Sequence, residues 1–247
     1  MLDVFTLTVI VIAMALIFDF TNGWNDSANA IATIVGTRVL KPLHAVLLAA
    51  VLNMVGAFAF TAVAKTIYSG IVDPGKIDDL YVVMALLVGS IIWNVAMTLL
   101  GLPISASHSL IGGIVGAALA YGGPEILIAG GIIKVLVAML VSPLLGAGLA
   151  FLLMKLLNSI VAKRSPSKVK KSFSWLQILS VSFMAFSHGT NDAQKAMGIM
   201  MMALVIGGYT AADAEIPLWV IASAGTMIAL GTAIGGWKVI KALGMRL

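Results

Sequence analysis

The stretch Asn22-Gly-Trp-Asn-Asp-Ser-Ala-Asn-Ala30 sits inside otherwise apolar sequence and returns as His188-Gly-Thr-Asn-Asp-Ala-Gln-Lys-Ala196. At an offset of 166 residues Phe20 meets Phe186, Gly23 meets Gly189, Asn25 meets Asn191 and Asp26 meets Asp192. Apolar residues flank each copy for long enough to reach membrane depth. Ionisable groups at that depth are costly, so they pair, line a cavity or hold an ion. A duplicated cluster of this kind points to a transporter with a two-part central site.

Composition supports a membrane setting. Of 247 residues 61% are hydrophobic and only 10% charged, against about a quarter charged in soluble domains, and the mean hydropathy is +1.09. The 25 glycines suit close helix packing in lipid, where small residues let backbones approach. The absence of cysteine excludes disulfides, thiolate catalysis and thiolate metal sites. No Ser-His-Asp order, His-x-x-Glu spacing or nucleotide-binding loop occurs, so neither an enzyme nor an organic cofactor is expected. The net charge of +5 does not mark a nucleic-acid partner, because its placement follows the membrane. Lys155, Lys163, Arg164, Lys168, Lys170 and Lys171 share one loop, and Lys238, Lys241 and Arg246 lie at the end, the pattern of cytoplasmic segments.

Apolar stretches run roughly over 2–36, 43–64, 80–100, 103–121, 126–153, 175–208 and 216–237. A span needs about 20 residues, so the first and sixth are too long for one upright helix, and these two hold the clusters. Each is expected to be a pair of half-helices meeting at an unwound Gly-Asn-Asp region, tolerable only against protein or a watery cavity. With the Lys-rich linker inside, the loops with Asp213 and Glu215, with Glu125, and with Asp73, Asp78 and Asp79 fall outside. Arg38 and Lys41 fall inside, and the N-terminus with Asp3 outside. The expected fold is therefore all-α: a polytopic membrane protein with inverted repeats and broken helices. It divides into a first repeat over 1–154 (about five spans), a basic cytoplasmic linker over 155–174 and a second, incomplete repeat over 175–247 (about two spans). Two passes per long segment would instead make the repeats parallel. The expected location is a cell membrane, plasma or inner, crossed many times.

Asp26 and Asp192 lead the candidate residues. Each sits behind an Asn and near a Gly, so carboxylate, amide oxygen and freed carbonyls can converge on a hard cation such as Na⁺; the same carboxylates could take up a proton. Asn25, Asn29 and Asn191 share this role. His188 reads equally as a donor to an anion or as bonded to a backbone carbonyl. A second constellation, Gly101-Leu-Pro-Ile-Ser-Ala-Ser-His-Ser-Leu-Ile-Gly-Gly113, stops one helix at Pro103 and opens the next on hydroxyls. Helix-start serines cap free amides, and such a start also receives anions. Ser105, Ser107 and His108 are thus candidates for an oxyanion, phosphate or sulfate, with Thr190 and Asn191 approaching from the other repeat. Lys195 either approaches the anion or pairs with Asp192. Asn94 is expected to serve helix packing.

The clusters Gly23-Trp-Asn-Asp-Ser-Ala-Asn-Ala30 and Gly189-Thr-Asn-Asp-Ala-Gln-Lys-Ala196 resemble the duplicated signature of the inorganic phosphate transporter (PiT) family. Pro103-Ile-Ser-Ala-Ser-His-Ser109 looks like that family's Pro-x-Ser-Thr-Thr-His segment, and Gly235-Gly-Trp-Lys-Val-Ile-Lys241 matches another recurrent stretch. The resemblance implies symport of inorganic phosphate with sodium, or alternatively protons, through an inverted-repeat fold often seen as a dimer. It carries ion and phosphate binding to Asn25, Asp26, Asn191 and Asp192, and the hydroxyl-rich turn to Ser105, Ser107 and His108. Two departures stand out. Ala106 replaces a hydroxyl, and a second hydroxyl segment would fall near position 274, past Leu247. The expectation is a chain lacking about two final spans: truncated, completed by another polypeptide, or a non-transporting remnant.

Overall fold

The computed structural model describes residues 2–62, 64 and 76–245; Asp73 and Arg246, used in the topology count, lie outside them. Eight α-helices are described: α1 (Val4–Gly36), α2 (Pro42–Ala57), α3 (Leu80–Leu100), α4 (Ala106–Gly122), α5 (Ala129–Val161), α6 (Pro166–Ile206), α7 (Leu218–Ile234) and α8 (Trp237–Met245). The first seven coincide with the seven apolar stretches. Local chemistry sets several ends. Asp79 caps α3 by accepting from the Tyr81 N–H at 2.8 Å. Gly101 closes α3 in a left-handed conformation, φ 73°, and Ser105 caps α4 by accepting from the His108 N–H at 3.3 Å.

The fold is all-α and polytopic, with interrupted helices and inverted repeats, but the interruptions fall elsewhere than the sequence suggests. Helical backbone runs unbroken through both polar clusters, which lie within α1 and α6. The breaks are instead at 101–105, between α3 and α4, and at Gly235, φ 67°, between α7 and α8. The reason lies in the cluster side chains, which bond back onto their own helix. The Thr21 hydroxyl donates to Phe18 O at 2.8 Å, Ser27 to Trp24 O at 3.1 Å and Thr190 to Phe186 O at 2.9 Å. The Asn191 amide donates to Ser187 O at 2.8 Å. Such bonds bend a helix without unwinding it. Because each cluster lies on one continuous helix, each long segment makes one pass, and the two-pass, parallel reading falls.

At a rise of ~1.5 Å per residue α1 and α6 reach ~50 and ~60 Å, beyond the ~30 Å hydrocarbon core. The excess of α6 carries Lys168, Lys170 and Lys171, all exposed. The basic linker is thus mostly helical, with a turn over 162–165 joining α5 to α6. Helix α5 has no buried residue; Leu140 and Leu144 are more than two-thirds exposed, an outer face suited to lipid. Helices α1, α3 and α5 are each long and apolar enough to cross a membrane.

The centre is built by a crossed exchange between repeats. α1 packs most extensively on α7, and α6 on α2. Gly231 of α7 lies against Phe20 O and Trp24 N of α1; Gly56 of α2 lies against Phe186 O and Thr190 N of α6. Phe20 and Phe186, and Trp24 and Thr190, are again 166 residues apart. The reverse contacts match too, Gly23 resting on Ile228 O and Gly189 on Asn53 O. A two-fold pseudo-symmetry thus relates the α1–α7 and α6–α2 pairs, each locked by glycines at backbone contact. Lipid offers no hydrophobic drive between helices, so this close approach holds them together.

Candidate functional site

Where α1 and α6 meet, the two signature aspartates come together. His188 lies between them, Nε2 at 3.6 Å from Asp26 Oδ2 and 3.3 Å from Asp192 Oδ2. One ligand atom from each of the three residues lies within 4.8 Å of the others. His188 Nδ1 is 3.1 Å from Asn53 Oδ1, and Asn53 Nδ2 donates to Thr232 Oγ1 at 2.7 Å. The histidine thus meets side-chain oxygens of Asn53, Asp26 and Asp192 in place of the expected backbone carbonyl, and ties α6 to α1 and α2. Its Nε2, facing the two carboxylates, has no hydrogen-bond partner among the described residues.

The aspartates have unequal company. Asp192 Oδ2 accepts from Lys195 Nζ at 2.6 Å and from Asn22 Nδ2 at 3.2 Å. Asp26, 8% exposed, receives only the Asn29 amide, at 3.2 Å on Oδ1, besides the histidine among the described residues. Of the two readings of Lys195, pairing with Asp192 is the one seen. The buried Oδ1 atoms of Asn22 and Asn25 accept no hydrogen bond among the described residues. Carboxylate and amide oxygens of this kind fit a hard cation, and those of Asp26, Asn29 and Asn25 could hold one on the α1 side.

The other candidates lie around this point. Asn25 Nδ2 donates to Thr98 Oγ1 at 2.8 Å. Thr190 donates to Gly56 O at 3.0 Å, holding α6 to α2. Asn191 is exposed and turned back to its own helix. Ser105 and Ser107 are half-buried and His108 is exposed. Among the described residues no hydrogen bond joins these three to the aspartates. Their turn is nonetheless linked to the cluster: Ser109 donates to Asn94 Oδ1 at 2.7 Å, and Asn94 Nδ2 reaches Thr21 Oγ1 at 3.4 Å. Asn94 does serve packing, as a polar strut from α4 through α3 to α1.

Four participants escaped the sequence reading: Asn53, Thr98, Thr232 and Asp19. Asp19 is fully buried, with neither oxygen accepting a hydrogen bond among the described residues. It carried a usable signal, an ionisable side chain inside an apolar span; the others are visible only once the helix crossings are known.

A polytopic helical fold with two inverted repeats, their carboxylates converging at a buried crossing, defines a membrane transport protein rather than an enzyme. A family model described as the phosphate transporter family matches residues 22–170 and 158–247. A "Probable low-affinity inorganic phosphate transporter" of Bacillus subtilis is 45% identical over 239 residues, 96% of this chain and 72% of that protein. One of the same description from Rhizobium meliloti is 43% identical over 98% of this chain and 73% of its own length. A solved structure described as "The sodium-dependent phosphate transporter" superposes with a TM-score of 0.82 at 24% identity, covering 98% of this chain and 78% of that one; it shows the shared fold. The chain belongs to the phosphate transporter family.

Proposed function

We propose that the chain is a secondary active symporter that takes up inorganic phosphate together with sodium. The observation that supports this most is the meeting of Asp26 and Asp192, one from each inverted repeat, at a single buried point bridged by His188. Broken-helix and crossing-helix sites between inverted repeats are where secondary transporters place substrate and ion, with the repeats rocking about them. In this reading Asp26, Asn25 and Asn29 hold the cation, with Asp192 and Asn191 completing the second repeat's side. Phosphate lies at the α4 helix start, bound by Ser105, Ser107 and the free amides, with His108, Thr190 and Asn191 as further contributors, while Lys195 stays on Asp192 and acts on the anion by its charge. Bare carboxylate against phosphate is repulsive, so the cation enters with the anion. The residues 1–154 and 175–247 act as the two repeats, joined by 155–174, and the transporter works as a homodimer in a plasma or inner membrane.

The helix-start serines test the anion half of this reading. Losing a buried hydrogen bond to a charged ligand costs about 1.5–3 kcal/mol, or roughly 10- to 150-fold in affinity. Ser105→Ala and Ser107→Ala are expected to weaken phosphate binding by that factor with helix content retained. Titration of purified protein by calorimetry checks it; wild-type affinity in both variants removes phosphate from this turn.

A further inference from the structure

The duplicated clusters differ at one chemically decisive position. The 166-residue offset that superposes Asp26 on Asp192 also superposes Asn29 on Lys195. The two pairs have the same helical geometry, a side chain three residues on reaching back to the carboxylate. In the first repeat the Asn29 amide touches Asp26 Oδ1 at 3.2 Å; in the second the Lys195 ammonium touches Asp192 Oδ2 at 2.6 Å. We infer that Lys195 is a tethered cation standing in the second of two cation half-sites, so that only the Asp26 half-site takes an exchangeable ion. The inference rests on the symport reading above and fixes how many ions that site carries.

Three observations carry it. Lys195 is 6% exposed, so its amine is turned inward and does not run its stem out to the membrane surface as an interfacial lysine would. The Asp192 Oδ2 that it meets also accepts from Asn22 and faces His188, so that oxygen already serves three neighbours. On the Asp26 side no such ammonium is present among the described residues: the partners are a neutral amide and the shared histidine, and Asn25, beside Asp26 in the chain, has a buried oxygen accepting nothing among those residues. An ammonium and a sodium ion carry the same charge, but the ammonium cannot leave. The second repeat is thereby charge-matched at all times, and only the first loads and unloads during a cycle. The two half-sites thereby carry one exchangeable ion, the difference resting on one residue.

The reciprocal swap decides the matter. Lys195→Asn gives the second repeat the side chain of the first, and Asn29→Lys gives the first the side chain of the second. Radioactive sodium binding is measured on the purified full-length polypeptide at saturating inorganic phosphate, with phosphate affinity measured with and without sodium. K195N is expected to bind about one sodium more per chain than the wild type, and N29K to lose sodium binding and to show less than about a 2-fold change in phosphate affinity on adding sodium. Sodium stoichiometry in K195N equal to wild type, in protein that elutes as a single folded species, overturns the inference. Should K195N not fold, N29K decides alone: sodium-stimulated phosphate binding surviving in N29K overturns it, and its loss supports it. Wild-type protein whose phosphate affinity ignores sodium fails the sodium reading of the function instead, and K195N gaining a bound sodium in that background still supports the tethered cation.

Discussion

Asp192→Asn is expected to destabilise the protein by about 3–5 kcal/mol, the cost of leaving one partner of a buried ion pair uncompensated, and to abolish transport. Lys195 would lose the carboxylate 2.6 Å from its amine and keep its charge in a nearly water-free setting. His188 would lose the nearer of its two acidic neighbours at the same time. Asp26→Asn removes no ammonium's partner, since Asp26 is held by Asn29 and, at 3.6 Å, by His188. That variant is expected to fold with near-native thermal stability and to lose cation-dependent phosphate binding. Thermal unfolding of the two variants in detergent, read beside phosphate binding, separates these effects. A second change, Lys195→Met on the Asp192→Asn background, removes the stranded charge and should recover most of the lost stability without restoring transport. Equal stability of D26N and D192N contradicts the unequal roles assigned to the two aspartates.

Gly189→Ala and Gly23→Ala are expected to prevent assembly of the central helices. A methyl at Gly189 would fall on the backbone carbonyl of Asn53, and one at Gly23 on that of Ile228. Neither neighbour is a side-chain tip able to rotate away. Relief requires α6 to separate from α2, which pulls Asn53 from His188, or α1 from α7, which pulls Thr232 from Gly23 O. Overpacking ordinarily costs about 1–3 kcal/mol; a clash with backbone that parts two helices is expected at or above that range. Gly148→Ala is the control. It lies in the exposed α5 with nothing within 4 Å of the added methyl, and alanine is the better helix former by about 1 kcal/mol. Fluorescence-detected gel filtration should show aggregated G189A and G23A beside a monodisperse G148A. Monodisperse, phosphate-binding G189A would mean that the crossed exchange of helices is wrong.

The parts of this molecule legible in its sequence are those written in chemistry that lipid makes conspicuous. Two Asn-Asp pairs in apolar surroundings announced the centre, because ionisable groups there demand a reason. Pro103 and Ser105 announced the stop and start around 101–106. The continuity of α1 and α6 was not legible. Glycines and amides in mid-span read as a break, whereas Thr21, Ser27, Thr190 and Asn191 satisfy their own helix carbonyls and keep it wound. His188 was equally opaque. Its partner Asn53 lies 135 residues away, brought there by a contact between Gly189 and backbone that no local pattern encodes. Lys195 was readable as far as its options of anion, aspartate or membrane interface, and the packed helices show the pairing with Asp192. Asp19 is the reverse case, a residue whose signal was present and whose surroundings were not.

Coupled movement of phosphate and cation through the Asp26–Asp192 centre is tested most directly by uptake into reconstituted vesicles. Purified full-length polypeptide is placed in vesicles with an inward sodium gradient, and labelled inorganic phosphate is followed inside. The expected result is accumulation above the external concentration that stops when a sodium ionophore collapses the gradient, and that is absent in D26N. Phosphate entry that only equilibrates, indifferent to the ionophore and unchanged in D26N, would contradict the account.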